Sequence, residues 1–198
     1  MEYFPLFYRV KHRVCLVVGG GEVAFRKSQL LLRAGAKLVI VSPKFSADFS
    51  VWQKQAEPQV LFLTQSYTSD LIQGTYFNRS VELVIGATDS PSVNADVAQT
   101  AERLGKLVNI VDCPELSSVI LPAIIDRAPV LVAVSSEGQS PVLARYIRAK
   151  LETYIPAGFG ELARFMGGQR QKVKAALNTL SHRRIFWEEV IASPIAEY

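Results

Sequence analysis

The chain has 198 residues, 49% of them hydrophobic and 20% charged, with a formal net charge of +4. That apolar content excludes disorder as the main state, and no apolar run approaches the roughly 18 residues of a membrane span or follows the pattern of a secretory leader. Residues 1–126 hold 12 basic and 12 acidic side chains and residues 127–198 hold 10 and 6, so the back half favours an anionic partner, while no basic cluster interleaved with aromatics points to nucleic acid.

The first predicted element is a strand over 13–18, an apolar β-branched run of the kind buried on both faces of a parallel sheet. Gly19-Gly20-Gly21 punctuates it. Residues 22–34 turn helical, with Val23, Leu30, Leu31 and Ala34 on one broad face and Arg26, Lys27 and Arg33 outside, and Gly35 stops the helix. A strand over 37–41 closes at Ser42-Pro43, a short helix covers 47–55, and a third strand covers 60–64. Residues 65–80 read as turn and short helix. A fourth strand over 82–87 runs into Thr88-Asp89-Ser90, and Ser90-Pro91 pairs an N-cap with proline at the first helical position. That helix reaches Gly105, and a fifth strand over 107–111 ends at Asp112-Cys113-Pro114.

Five strands with crossover helices describe an α/β fold, an open, doubly wound, Rossmann-like parallel sheet. Beyond residue 114 the pattern changes. Two strands are expected at 118–121 and 130–134 without a long helix between them. Ser140-Pro141 opens a helix with Val142, Leu143, Tyr146, Ile147 and Leu151 apolar and Arg145, Arg148 and Lys150 exposed, and 161–190 is helical, basic and broken near 181.

The glycine motif Gly19-x-Gly21-x-x-Ala24 follows a predicted strand and opens a predicted helix, which is the context of a dinucleotide-binding turn. The first glycine permits the tight turn, the second lets backbone approach a pyrophosphate, and the small third residue lets helix and strand pack closely, with the helix N-terminus facing the phosphates. At the end of the second strand, where such folds offer an acidic residue to the adenine ribose, stand Ser42 and Lys44. Ser42 suits a ribose hydroxyl and Lys44 a 2′-phosphate, so NAD and NADP both stay open. Thr88 and Asp89 close the fourth strand on the edge where ligands collect, as a helix-capping turn or as part of the cofactor site. Asp112 ends the fifth strand on the same side, where a carboxylate can orient a substrate or accept a proton. Ser135-Ser136-Glu137-Gly138-Gln139-Ser140-Pro141 joins a strand to a helix and combines hydroxyls with a helix N-terminus, an anion-binding turn or simply a capped start. His12 and His182 have no Cys or His at ligand spacing, so no structural metal is expected. Cys15 and Cys113 are far apart in sequence, which suits reduced thiols and a cytoplasmic setting.

Three segments together resemble the sirohaem synthase family, in its precorrin-2 dehydrogenase/sirohydrochlorin ferrochelatase module. The first is Phe4-Pro5-Leu6-Phe7 with Val17-Val18-Gly19-Gly20-Gly21-Glu22-Val23-Ala24-x-Arg26-Lys27. The second is Ala87-Thr88-Asp89 with Val93-Asn94. The third runs from Asn109-Ile110-Val111-Asp112-x-Pro114 through Pro122-Ala123-Ile124-Ile125-Asp126-Arg127 to Val132-Ala133-Val134-Ser135-Ser136-x-Gly138-x-Ser140-Pro141-Val142-Leu143-Ala144-Arg145. The resemblance implies an NAD-binding domain over 1–113, a dimerisation domain over 114–150 and a helical domain over 151–198. It also implies a homodimer in a form without the methyltransferase domain.

The activity it implies is NAD-dependent oxidation of precorrin-2, a tetrapyrrole with eight carboxylates, to sirohydrochlorin. Asp112 takes the acid–base role. Ferrous iron enters as the second substrate in members that also chelate. Glu22, Val23, Pro43 and Asn109 then join Gly19, Gly21, Ser42, Lys44, Thr88 and Asp89 as cofactor-binding residues, and Ser135, Ser136, Ser140 and Arg145 bind substrate. Two other readings of the first 113 residues remain. A nucleotide-sensing regulatory module leaves the Ser135–Arg145 segment without a purpose, and a small hydroxy-acid dehydrogenase lacks its histidine base.

Overall fold

The computed structural model describes residues 2–55 and 57–193. The chain divides into two compact units, Met1–Leu121 and Pro122–Tyr198.

In the first unit, strands β1 (Val14–Val18), β2 (Lys37–Val41), β3 (Val60–Leu63), β5 (Arg79–Gly86) and β6 (Leu107–Ile110) form one parallel sheet in the order β3-β2-β1-β5-β6. All five residues of β1 are buried, as a central strand covered on both faces requires. Helix α1 (Glu22–Arg33) covers one face and packs with the aromatic cluster Phe25, Phe49, Trp52 and Phe62, whose rings meet largely edge to face. Helix α4 (Pro91–Arg103) covers the other face through Val97, Ala98 and Ala101. Two short helices, α2 (Ala47–Gln53) and α3 (Asp70–Gln73), complete the connections. After β1 the chain crosses to β2 on one side, and β5 returns to the other side of β1. The sheet therefore has its topological switch point between β1 and β5, at whose carboxyl ends ligands bind in this class of fold.

Three local expectations in this unit are corrected. The 65–80 stretch contains a two-residue strand, β4 (Thr75–Tyr76), antiparallel to an extended start of β5. Phe77 and Asn78 both have positive φ (53° and 61°), which makes the tight hairpin turn. Asn78 suits that conformation but Phe77 does not, and so the turn was hidden in the sequence.

The expected strand at 118–121 does not form. The Ser117 and Ser118 hydroxyls instead accept the Ile110 and Val108 backbone N–H groups, each at 2.9 Å, and the segment covers the open edge of β6. Lastly, Lys27 is half-buried rather than outside, because it shares the helical face of Ala24, Ser28 and Leu31.

In the second unit, β7 (Ala123–Arg127) and β8 (Val130–Val134) form an antiparallel hairpin followed by α5 (Pro141–Glu152), α6 (Gly158–Ala176) and α7 (Leu180–Ala192). Gly160 packs on the hairpin turn, where a Cβ would stand 2.5 Å from the Arg127 carbonyl oxygen. Arg127 and Arg148 both pair with Glu152, at 3.1 and 2.9 Å, and Arg148 Nε also donates to the Ile124 carbonyl. Arg148, expected to be exposed, is therefore a half-buried tie between α5 and β7. The apolar residues Val142, Leu143, Tyr146 and Ile147 of α5 are exposed, as is Leu131 on the hairpin. No helix among the described residues is long and apolar enough to cross a membrane.

Candidate functional site

The carboxyl edge of the first unit's sheet gathers three loops. The glycine loop leaves β1 with Gly19 at φ +137°, its N–H donating to the Val41 carbonyl at 2.9 Å. A Cβ on Gly19 would collide with the Ala87 carbonyl oxygen, and one on Gly20 with the Lys44 carbonyl oxygen. Gly21 differs from both. It is the N-cap of α1, offers no side-chain cap to the helix, and has nothing within 4 Å of where its Cβ would lie. The backbone N–H groups of the first turn of α1, including those of Glu22 and Val23, are therefore left to a ligand, and the open side of Gly21 gives it access. Ala24, fully buried, fills the small-residue position against Gly19. These features fit a dinucleotide pyrophosphate.

The second loop follows β2. The Ser42 hydroxyl donates to the Lys44 carbonyl at 2.6 Å and accepts the Lys44 N–H at 3.3 Å. Its one proton is committed within its own turn, while Pro43 and Lys44 are exposed. The third loop follows β5. Thr88 is bound to the buried side chain of Asn94, and Asp89 is exposed.

Asp112 lies just past β6 on the same edge, exposed, with φ +58°. This is a left-handed conformation that Asp tolerates better than most residues. Burial pushes the Lys27 ammonium below the usual lysine range; the nearby Asp112 carboxylate draws it partly back, and Arg26 pushes it down again. Asn109, three residues before Asp112 on β6, is buried, and its Nδ2 donates to the Val119 carbonyl at 3.0 Å, so its side chain braces the edge segment.

In the second unit Ser136 Oγ accepts the Ser140 N–H at 3.0 Å, Ser135 Oγ accepts the Glu137 N–H at 3.0 Å, and Ser140 caps α5 by accepting the Leu143 N–H at 3.2 Å. Glu137 and Gly138 take positive φ to close this turn. The Ser135 and Ser136 hydroxyls act as acceptors in these bonds, so each keeps its proton to donate. Arg145 is exposed one turn along α5.

The structure thus brings Gly19, Gly21, Ser42, Lys44, Thr88, Asp89, Asn109 and Asp112 to one sheet edge, and Ser135, Ser136, Ser140 and Arg145 to one helix start in the other unit. Three further residues beside the first group are not singled out by the sequence. Gly20 was visible only as the middle of three glycines, Asn94 as part of the Thr88-Asp89 string, and Lys27 by its spacing from Ala24 and Leu31.

Residues 6–123 match the family described as putative NAD(P)-binding. The chain belongs to that family. Residues 132–154 match the family described as sirohaem biosynthesis protein central, and residues 158–198 match the sirohaem synthase dimerisation region.

The chain is 47% identical over 200 residues to a siroheme synthase of Stutzerimonas stutzeri (strain A1501), covering 100% of this chain and 41% of that protein. It is also 47% identical over 197 residues to that of Chromobacterium violaceum, covering 100% and 40%. It therefore spans about two fifths of the length of these relatives. Among solved structures it is similar to SirC, precorrin-2 dehydrogenase, with a TM-score of 0.73 and 25% identity over 96% of this chain and 89% of the other.

Proposed function

We propose that this sirohaem-synthase-type module oxidises precorrin-2 to sirohydrochlorin with NAD. The observation that carries the proposal is the shared sheet edge: an uncapped α1 N-terminus beside an open Gly21, and the Asp112 carboxylate at the end of β6 on the same edge. When bound, NAD supplies a hydride acceptor. The Gly19–Val23 backbone would hold its pyrophosphate, Pro43 and Lys44, on the turn that the Ser42 hydroxyl fixes, would hold its adenosine end, and Thr88, Asp89 and Asn109 would shape the neighbouring wall.

Dehydrogenation breaks two bonds to hydrogen in the macrocycle. One hydrogen would leave as a hydride, which bound NAD would accept, and the other as a proton, which the Asp112 carboxylate would accept. Ser135, Ser136, the α5 N-terminus capped by Ser140, and Arg145 would bind substrate carboxylates through charge-assisted hydrogen bonds and the positive helix end. Where ferrous iron is the second substrate, two pyrrole protons must leave, and Asp112 is the residue we assign to take them.

The choice of NAD over NADP rests on the family resemblance. A homodimer is part of the same proposal, and two observations support it. Residues 158–198 match a dimerisation region, and the exposed Leu131, Val142, Leu143, Tyr146 and Ile147 form apolar surface that a second copy would cover. The two free thiols, Cys15 and Cys113, suit a cytoplasmic setting. Mixing the protein with precorrin-2 and NAD tests the activity. NADH should form in step with loss of precorrin-2, and its absence would remove the dehydrogenase assignment.

A further inference from the structure

One side chain holds the loop that follows β5. Asn94, in the first turns of α4, is 8% exposed. Its Oδ1 accepts the Thr88 hydroxyl at 2.8 Å and the Thr88 backbone N–H at 3.3 Å, and its Nδ2 donates to the Thr88 carbonyl at 2.9 Å. All three polar groups of Thr88 are thus bound to one amide, a pattern that needs an acceptor and a donor in the same short side chain. Thr88 Oγ1 also accepts the Ser90 N–H at 3.2 Å, which ties the loop to the start of α4.

What Thr88 carries matters for the nucleotide. The residue before it, Ala87, donates its N–H to the Val18 carbonyl at 2.8 Å and turns its own carbonyl oxygen onto Gly19. A displacement at Thr88 therefore moves the atom against which the glycine loop is packed. Gly86 leaves room for this contact: a Cβ there would lie 3.5 Å from Asn94 Oδ1 and 2.5 Å from Ile110 Cδ1.

We propose that Asn94 is the positioning residue of the dinucleotide site: through Thr88 and Ala87 it fixes the wall against which the glycine loop rests, and so sets cofactor affinity. This rests on the assignment of the first unit as the NAD site. Asn94→Ala removes all three bonds. Asn94→Asp keeps the shape, loses the donor, and places a carboxylate against the Thr88 carbonyl.

The test is calorimetric titration of the full chain with NAD, alongside hydrogen exchange at the Thr88 amide in the free protein. Asn94→Ala and Asn94→Asp should each weaken NAD binding at least tenfold and speed exchange at Thr88, while Gln99→Ala on the exposed side of α4 changes neither. Because Asn94 acts through Thr88, the double variant Asn94→Ala/Thr88→Val should lose clearly less NAD affinity than the two single changes combined. Wild-type affinity in Asn94→Asp, or full additivity in the double variant, would overturn the role of Asn94. Failure of the wild-type chain to bind either NAD or NADP would instead overturn the assignment of the site, and the role with it.

Discussion

The carbonyl oxygen of Ala87 stands where a Cβ on Gly19 would project, and Gly19 meets it with φ +137°. The exits of β1 and β5 are thereby pressed together at the switch point of the sheet. Gly20 is equally closed in, against the Lys44 carbonyl, whereas Gly21, the last of the three, faces open space. The three consecutive glycines have two different tasks: two let backbone meet backbone, and the third keeps the helix N-terminus accessible.

Substitutions should separate those tasks. Gly20→Ala forces a Cβ into backbone that cannot give way, and should lower stability by several kcal/mol, seen as a large fall in Tm. Gly21→Asp meets no protein atom and should leave Tm nearly unchanged. Its charge and bulk sit where a pyrophosphate must approach, so NAD binding by calorimetry should be lost. Retained NAD binding in Gly21→Asp would remove the glycine loop from the site.

Asp112 combines a candidate base with a left-handed backbone, φ +58°. Most residues pay about 1–2 kcal/mol for that conformation, and glycine does not. Asp112→Ala should therefore be less stable than Asp112→Gly by about 1 kcal/mol in denaturant melts. Equal stability of the two would show that the turn relaxes.

Much of the parallel sheet was legible because its strands are short apolar runs closed by Gly, Ser-Pro or Asp. Two kinds of residue concealed the rest. Phe77 adopts a positive φ that its side chain gives no reason to expect, and Ser117 and Ser118 replace a strand ladder with their hydroxyls. The geometry of the candidate site was legible where backbone conformation dictates composition, as at Gly19 with its φ of +137°. It was not legible where side chains act on one another across the fold. Ser42 spends its proton on its own turn, and Asn94 secures Thr88 from another element. Arg148, grouped in sequence with Arg145, is tied to Glu152 and the Ile124 carbonyl instead.

That contrast between the two arginines can be measured. Arg148→Ala removes a partly buried tie and should lower Tm. Arg145→Ala breaks no bond observed in the structure and should leave Tm unchanged while raising the KM for precorrin-2. Ser136→Ala should likewise raise that KM more than it alters NAD binding. A reversed pattern, with Arg145 setting stability, would place the substrate contact elsewhere.

Acid should expose one further contact. Burial alone would raise Glu82, but hydrogen bonds from Tyr8 and Arg13, together with the Arg13 charge, outweigh it and hold the carboxyl below its usual range. A carboxyl with a depressed folded-state pKa contributes stability that is fully present above its unfolded value, about 4.3, and is lost as pH falls through the folded value. Glu82→Gln should thus be less stable than wild type at neutral pH, with the gap closing below about pH 4. A gap that persists unchanged in acid would show that the contact does not depend on the carboxylate charge.

The most direct test of the central claim is a single-turnover oxidation of precorrin-2 by NAD, comparing wild type with Asp112→Asn. The variant keeps the shape and the tolerated backbone conformation and removes the proton acceptor. Its oxidation rate should fall roughly 10²–10⁴-fold with NAD affinity unchanged. A wild-type rate in Asp112→Asn would contradict the account, leaving Asp112 as a residue that ends a strand.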